Sequence, residues 1–242
     1  MTGFRSALAF LTSLGGHHPP SPDALPWFPA IGLAVGAASA GAWWAADGPL
    51  GPLVAAAVAL AVDLWLTGFL HFDGLADSAD GLLPPHSDPE RRLDVMARPD
   101  VGAFGVTAVV LVLITRWAAF VQLDPSGAAI MAVALLWGIS RLAMAVLVMT
   151  DGYVRPGGLA QAFSGARRLP VGVSAVAFLA VLPVVAAAID RDMATPAGGF
   201  ALAAFVAVVV LAHRRIGGFT GDVVGAAGVV AETVGLAVLA AP

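Results

Sequence analysis

Three aspartates in the stretch HFDGLADSADG, residues 71–81, have a spacing that suits a metal site. Asp73, Asp77 and Asp80 stand at i, i+4 and i+7, so on a helix they fall within roughly 60° of one face. Carboxylates this close repel one another and destabilise the helix that carries them. Mg²⁺ relieves such repulsion, because it takes oxygen ligands from a few carboxylates together with substrate phosphates. The spacing therefore predicts that the three aspartates bind Mg²⁺, with Mn²⁺ as a substitute. The alternative is a solvated helix end with incidental acidic residues.

The elements that must position this stretch are those of a membrane protein. The 242 residues are 59% hydrophobic and only 12% charged, and their mean hydropathy is +0.89. A soluble domain has about 25% charged residues. The absence of cysteine excludes disulfides, thiolate metal sites and a cysteine nucleophile. The composition predicts an all-α fold, a polytopic bundle of transmembrane helices in the cell membrane.

Seven apolar segments are long enough, or nearly so, to cross a bilayer as helices. They are 27–46, 50–70, 101–123, 127–149, 171–189, 195–212 and 222–241. Residues 1–26 precede them, and their short apolar stretch with one arginine favours an amphipathic helix at the membrane interface. No repeat or second domain is visible, so residues 1–242 are predicted to form a single transmembrane domain.

The arginines predict an orientation. With a cytoplasmic N-terminus, nine arginines fall on the cytoplasmic side and only Arg191 on the other, which follows the positive-inside rule. The nine are Arg5, Arg91, Arg92, Arg98, Arg155, Arg167, Arg168, Arg214 and Arg215. The same orientation places the polar links 71–100, 150–170 and 213–221 on the cytoplasmic face. We expect the active site to lie among these three links.

A short motif indicates pyrophosphate chemistry. Asp77-x-x-Asp80-Gly81 resembles the opening of the CDP-alcohol phosphotransferase signature, which grips a metal-bound pyrophosphate. The rest of that signature is absent, because Leu82-Leu83-Pro84-Pro85 follows. The motif therefore suggests shared chemistry without membership of that family.

A longer set of ordered blocks, from about residue 7 to 235, resembles the cobalamin-5'-phosphate synthase family, also called adenosylcobinamide-GDP ribazoletransferase. The blocks are AFLTSL and WFPAIGLAVG near the N-terminus, the stretch 71–81, Glu90-Arg91-Arg92-Leu93-Asp94-Val95-Met96, Gly102-Ala103-Phe104-Gly105, Tyr153-Val154-Arg155-Pro156-Gly157-Gly158-Leu159 with Phe163, and Gly217 to Ala226 with Glu232 beyond.

The chain departs from the family pattern at two places. Ser13 stands where the family usually has Arg, and Arg98 stands where it usually has Asp. An aspartate follows two residues later, at Asp100. We expect Asp100 to take the place of the displaced carboxylate.

The resemblance implies a transferase of vitamin B12 synthesis. Such an enzyme joins adenosylcobinamide-GDP to α-ribazole, or to its 5'-phosphate, and releases GMP. A ribose hydroxyl attacks a pyrophosphate phosphorus in line, so catalysis needs positioning and charge neutralisation. Asp73, Asp77 and Asp80 would hold Mg²⁺ on the pyrophosphate. Asp100 or Asp94 would accept the hydroxyl proton.

Further residues are candidates for substrate binding. Arginine forks suit phosphate oxygens, so Arg91, Arg92 and Arg155 are predicted to bind the pyrophosphate or the ribazole phosphate; the alternative is plain positive-inside topology. Thr220 and Asp222 begin the last span, where Asp222 should face the bundle interior or cap the helix. His71 is predicted to bind substrate only if the helix breaks at Gly74, because an ideal helix would point it away from Asp73.

Charged residues also lie inside the predicted spans, where ion pairing and catalysis are both open explanations of Asp63, Arg116 and Arg141. A CDP-alcohol-phosphotransferase-like lipid enzyme and a small-solute transporter are competing functions, but a transporter would place polar residues near mid-bilayer and show inverted repeats. The expected partners are the two substrates and the lipid bilayer, without nucleic acid. The sequence leaves open a homo-oligomer or a complex with other late enzymes of the cobalamin pathway.

Overall fold

The protein is an α-helical bundle. A computed structural model describes residues 2–85, 88–155, 159–163, 166, 168–188 and 191–241, without the side chains of 159–160, 181–188 and 191–195. Within these ranges there are ten α-helices and no β-strand. They are α1 (Thr2–Leu11), α2 (Phe28–Leu50), α3 (Pro52–Leu66), α4 (Leu70–Leu82), α5 (Pro89–Met96), α6 (Ala103–Gln122), α7 (Gly127–Leu147), α8 (Arg168–Ala188), α9 (Arg191–Ile216) and α10 (Gly221–Leu239). Two 3-10 helices cover Pro22–Trp27 and Leu159–Phe163.

Each of the seven predicted apolar segments contains a helix, namely α2, α3 and α6 to α10. Five helices in the described ranges are long and apolar enough to cross a membrane: α2 with the 3-10 helix before it, α6, α7, α9 from Pro196 onward, and α10. In α8 the described apolar part ends at Ala180, which is shorter than a full span. The multi-pass all-α fold is confirmed, and the count of seven crossings stays a prediction.

The predicted segment 50–70 does not continue into the acidic stretch as one straight helix. It ends at Leu66, and α4 leaves it at an angle of 90°, so only the two helices together would qualify as a sixth span. Gly68 and Phe69 both have left-handed backbones, with φ of 58° and 61°, and they turn the chain. Ser13, after α1, donates its backbone N–H to Leu66 O and its hydroxyl to Trp65 O, which satisfies carbonyls at the end of α3. As a result, α4 runs across the bundle instead of along it.

The outer faces of α6 and α9 are apolar, with exposed side chains that include Leu111, Ile114, Phe200 and Val206. An exposed apolar surface of this extent is that of a protein embedded in lipid. The predicted N-terminal helix forms as α1. Its buried face, which includes Ala7 and Leu11, packs against the 3-10 helix Pro22–Trp27.

The charged residues inside the spans form a buried ion-pair network, as one of the two interpretations of the sequence proposed. Arg116 donates from Nη1 to Asp63 Oδ2 at 2.9 Å and from Nη2 to Glu232 Oε2 at 2.8 Å. The other oxygen of Glu232 pairs with Arg141, and Trp137 donates from Nε1 to Asp63 Oδ1 at 2.8 Å. Two positive charges are thereby matched by two negative ones, which offsets the cost of burying them. The network joins α3, α6, α7 and α10.

Candidate active site

The acidic helix α4 packs directly on the start of α10. A Cβ at Gly74 would lie 2.8 Å from the backbone oxygen of Asp222, and a Cβ at Gly225 would lie 3.3 Å from Cα of His71. Glycine at both positions therefore allows the two backbones to approach more closely than any other residue would. The contact brings the first two turns of α4 beside the first turn of α10.

Two links that are distant in sequence meet at the same place. Gly152 to Val154 pair with Phe219 through two backbone hydrogen bonds, from Val154 N to Phe219 O at 3.0 Å and from Phe219 N to Gly152 O at 2.9 Å. This pairing carries Arg155 to the start of α10. Its Nη1 donates to Asp222 Oδ2 at 2.7 Å.

The start of α10 orients Asp222. Thr220 is the N-cap residue: its hydroxyl oxygen accepts from the backbone N–H of Val223 at 3.4 Å, and the hydroxyl donates to Asp222 Oδ2 at 3.2 Å. The sequence left open whether Asp222 caps the helix or faces the interior. Thr220 provides the cap, and Asp222 lines the cavity described below. Thr220 is fully buried.

Asp77 lies in a crowded negative environment. Burial, and then the carboxylates of Asp222 and Asp73, raise the pKa of Asp77 to about 6, while Arg155 acts in the opposite direction. Asp73 is exposed and Asp77 is half-buried, on the same side of α4. A cation bound between these carboxylates would relieve the repulsion that holds this pKa up.

Asp80 has a different environment from the other two aspartates. Its Oδ2 accepts the backbone N–H of Gly102 at 2.6 Å, and its Oδ1 accepts that of Gly105 at 2.9 Å. The carboxylate therefore binds the N-terminus of α6, where free N–H groups and the helix dipole favour negative charge. A Cβ at Gly105 would lie 2.5 Å from Asp80 Oδ2, which explains glycine in this block. Asp80 connects α4 to α6.

The predicted set of three aspartate ligands is not assembled by these side chains alone. Within the described ranges no three carboxylate or histidine side chains lie close enough together to hold a metal ion. Mg²⁺ in proteins often uses only one or two carboxylates and takes its other ligands from phosphate and water. The donors around Asp73 and Asp77 fit that mode of binding, whereas both oxygens of Asp80 already accept a backbone hydrogen bond.

A cavity of about 320 Å³ opens beside these residues. Its polar side is formed by His71, Asp73, Arg155 and Asp222, and its apolar side includes side chains from α1, α2 and the 3-10 helix Leu159–Phe163. The sequence argument required a break in the helix at Gly74 if His71 was to bind substrate. The helix does not break there, since α4 is continuous from Leu70 to Leu82. His71 and Asp73 both line the cavity because it reaches around the first turn of the helix.

The other predicted residues have varied positions. Arg92 is buried and donates from Nη1 to Gly81 O at 2.7 Å and to Leu82 O at 3.0 Å, so it stabilises the C-terminal end of α4. This places its guanidinium in a structural contact instead of the predicted phosphate site. Arg91, Asp94 and Asp100 are exposed on α5 and the link that follows it. Asp100 lies near the Asp80 end of α4, because Gly102 bonds to Asp80.

Two features of the site were missed by the sequence argument. The aromatic side of the cavity comes from Phe10, Phe28 and Phe163, which are far apart in the chain; all three stand in the family blocks, but no role was assigned to them. The contact between Asp80 and the Gly102-x-x-Gly105 block was also missed, although the glycine spacing was a signal for close backbone approach. Residues 156–158, 164, 165 and 167 of the predicted link 150–170 lie outside the described residues.

Comparison with known proteins gives one consistent result. The sequence profile of the cobalamin-5-phosphate synthase family matches residues 3–240. A protein of Ectopseudomonas mendocina named adenosylcobinamide-GDP ribazoletransferase is 37% identical over 252 residues, which cover 98% of this chain and 97% of that protein. A protein of the same name from Pseudomonas fluorescens is 37% identical to this chain over 91% of each chain. Another, from Novosphingobium aromaticivorans, is 47% identical over 48% of this chain and 50% of that protein. No solved structure gives a significant match.

Proposed function

The chain belongs to the cobalamin-5-phosphate synthase family, it is an adenosylcobinamide-GDP ribazoletransferase, and we propose that the transfer takes place where α4 meets α10. The observation that carries this proposal is the ion pair of Arg155 with Asp222 beside the crowded carboxylates of Asp73 and Asp77. The site combines acidic residues for a cation with an arginine for phosphate oxygens, at the mouth of a cavity of small-molecule size.

The reaction joins α-ribazole, or its 5'-phosphate, to the cobinamide phosphate of adenosylcobinamide-GDP. A ribose hydroxyl oxygen forms the new P–O bond, the bond to GMP breaks, and the hydroxyl proton passes to a base. The protein contributes position and charge in such transfers more than covalent chemistry. The Nη2 of Arg155 is buried and has no hydrogen-bond partner in the described part of the chain. Its N–H can therefore donate to a phosphate oxygen.

Asp73 and Asp77 are the residues that would hold Mg²⁺, and Asp222 lies close enough to influence the charge of both. Bound there, the ion supplies charge neutralisation on the pyrophosphate and on the leaving GMP. Asp80 contributes by position: it fixes α4 to the N-terminus of α6, and with it the direction in which Asp73 and Asp77 face.

Asp100 remains the proposed proton acceptor in place of the displaced family carboxylate. It lies in the link between α5 and α6, two residues before Gly102, whose backbone N–H bonds to Asp80. Arg91, on the same exposed surface, is proposed to bind substrate phosphate there.

The arginine distribution supports a cytoplasmic location of this site in the cell membrane. Residues 71–85, 151–155 and 217–222 come together at one end of the helices, and all three belong to links assigned to the cytoplasmic side. A periplasmic reporter fused after Pro242 should be active if seven helices cross, because the C-terminus would then lie outside.

The direct test uses the purified full-length protein in detergent with adenosylcobinamide-GDP, α-ribazole and Mg²⁺. GMP and the cobalamin product should appear in equal amounts, and neither should appear when α-ribazole is omitted. GMP release without a cobalamin product would show hydrolysis in place of transfer and would contradict the proposal.

A further inference from the structure

The cavity at the start of α4 has an aromatic wall that the transfer chemistry does not use. Phe10 of α1, Phe28 of α2 and Phe163 of the 3-10 helix Leu159–Phe163 contact one another, with ring centroids 4.9 to 5.9 Å apart. All three line the cavity, which we call the aromatic cavity. Three separate elements thus supply one wall, and two of them belong to the N-terminal quarter of the chain.

Two residues that line the aromatic cavity each carry a buried polar atom with no hydrogen-bond partner among the described residues. In the described part of the chain four buried side-chain nitrogen or oxygen atoms lack a partner, and two of them are Nδ1 of His71 and Nη2 of Arg155. His71 is only 5% exposed, so water does not readily satisfy its ring nitrogen. A buried polar atom without a partner costs free energy, which a ligand with a matching group would recover.

The shape and polarity of the cavity indicate a flat, mainly apolar ring with few polar edges. The volume of about 320 Å³ is at the lower end of small-molecule sites, so it is far too small for the corrinoid substrate. Aromatic side chains bind flat rings by stacking and edge contacts. Guanine fits the cavity less well, because those of its donors and acceptors that face the three phenylalanines would be left unpaired.

We propose that the aromatic cavity binds the base of the ribazole substrate, an inference that rests on the proposed function. That base is a benzimidazole, a flat bicyclic ring that carries only one nitrogen free to accept a hydrogen bond. Nδ1 of His71 donates to this nitrogen, and the phenylalanines contact the ring. The ribose then extends toward Asp73, Asp222 and Nη2 of Arg155, where the pyrophosphate of the second substrate is placed.

The proposal assigns a role to the N-terminal helix. Phe10 and Leu11 of α1 line the aromatic cavity, so α1 closes one side of the binding site in addition to lying at the membrane interface. The proposal also gives His71 a contact with the base of the substrate, which the carboxylates do not contact. The aromatic wall determines which base is accepted, while Asp73 and Asp77 act on the phosphates.

The test measures the binding of radiolabelled α-ribazole to the full-length protein in detergent, without Mg²⁺ and without the second substrate. Phe10→Leu and Phe163→Leu keep apolar volume but remove a ring, and His71→Leu removes the donor. Each should raise the Kd for α-ribazole about tenfold. Their KM for adenosylcobinamide-GDP should stay within about twofold of wild type, and Phe10→Tyr should restore binding. Phe120→Leu is the matched control, because Phe120 is buried against Trp43 and does not line the cavity.

The outcomes separate this inference from the proposed function. Wild-type transfer with an unchanged Kd for α-ribazole in all three variants would overturn the cavity assignment and leave the function intact. Weaker binding of GMP, in place of α-ribazole, in the same variants would also overturn it. Protein that binds α-ribazole through these residues but never releases GMP would contradict the function and support the cavity assignment. Thermal unfolding of each variant, followed by tryptophan fluorescence, identifies any loss of binding that comes from misfolding.

Discussion

Arg155 and Asp222 form an ion pair across 2.7 Å, although 67 residues separate them in the chain. The pair is partly exposed, with 28% of the Arg155 side chain and 23% of the Asp222 side chain accessible. It closes the contact between the link after α7 and the start of α10. The two polar links that carry these residues therefore meet at one place, where we propose that the substrates bind.

Arg155 and Asp222 should be coupled in catalysis. We expect Arg155→Met and Asp222→Asn each to lower kcat/KM by roughly 10²-fold, since each removes a charge at the site of the pyrophosphate. The double variant should be less impaired than the product of the two effects, with a coupling free energy of about 1 to 2 kcal/mol. Steady-state kinetics of the three variants measure this coupling. Strictly multiplicative losses would mean that the two residues act independently.

The junction of α4 and α6 should not tolerate a side chain at Gly105. Gly105→Ala places a Cβ 2.5 Å from Asp80 Oδ2, so the hydrogen bonds of that carboxylate must lengthen or break. We expect a loss of stability of about 1 to 3 kcal/mol together with reduced turnover. Gly127→Ala is the control, because a Cβ there meets no atom within 4 Å. Thermal unfolding should show a lower Tm only for Gly105→Ala, and equal Tm values would contradict the role given to Asp80.

The raised pKa of Asp77 predicts how stability depends on pH in the metal-free protein. Because the folded state raises this pKa from the usual 3.8 to about 6, the folded state binds the proton more tightly than the unfolded state does. Its stabilising contribution is therefore complete below about pH 4 and is lost as the pH rises through 6. Asp77→Asn should be more stable than wild type above pH 6, and the difference should disappear toward pH 4. Unfolding in chelator across this pH range measures the effect.

The same comparison at high Mg²⁺ is the counterpart of that experiment. A bound ion should remove the advantage of Asp77→Asn at neutral pH, because only wild type retains the charged ligand. A stability difference that does not change with pH or with Mg²⁺ would contradict the assigned environment of Asp77.

The buried ion-pair network should respond strongly to the loss of one charge. Glu232 accepts from both Arg116 and Arg141, so Glu232→Gln leaves two buried guanidinium groups against the single carboxylate of Asp63. We expect a loss of about 3 to 5 kcal/mol in the free energy of unfolding. Glu90→Gln, at the exposed start of α5, should stay within about 0.5 kcal/mol of wild type. Urea unfolding in detergent compares them, and similar values would mean that the network contributes little.

Some of this architecture could be predicted because it depends on local patterns. The apolar runs predicted every long helix, and the i, i+4, i+7 spacing placed the three aspartates on one helix. The intramembrane charges left ion pairing and catalysis both open, and the structure shows the ion pairs, as expected where an unpaired charge is costly. Family blocks predicted that Arg155 and Asp222 belong to the site, but the local spacing did not indicate that they pair.

Other features depend on contacts between distant residues. The right-angle turn at Gly68 and Phe69 interrupts the apolar run 50–70, so α3 ends at Leu66, four residues before the predicted end of the span. Asp80 appeared equivalent to Asp73 and Asp77 until the N-terminus of α6 was placed against it. Arg92 was predicted to bind a substrate phosphate, and its burial under α4 follows only from how α5 folds back. Similarly, three phenylalanines became one wall only after three elements had packed together.

The central claim is that Asp73 and Asp77 hold the metal ion while Asp80 acts by position. The measurement that tests it most directly is a Mg²⁺ titration of GMP release by Asp73→Asn, Asp77→Asn and Asp80→Asn. The first two should need far more Mg²⁺ and lose at least about 10²-fold in kcat, with no loss of Tm. Asp80→Asn should lose Tm and keep a near-normal dependence on Mg²⁺. Wild-type rates for Asp73→Asn and Asp77→Asn at ordinary Mg²⁺, or turnover that is indifferent to chelator, would contradict the account.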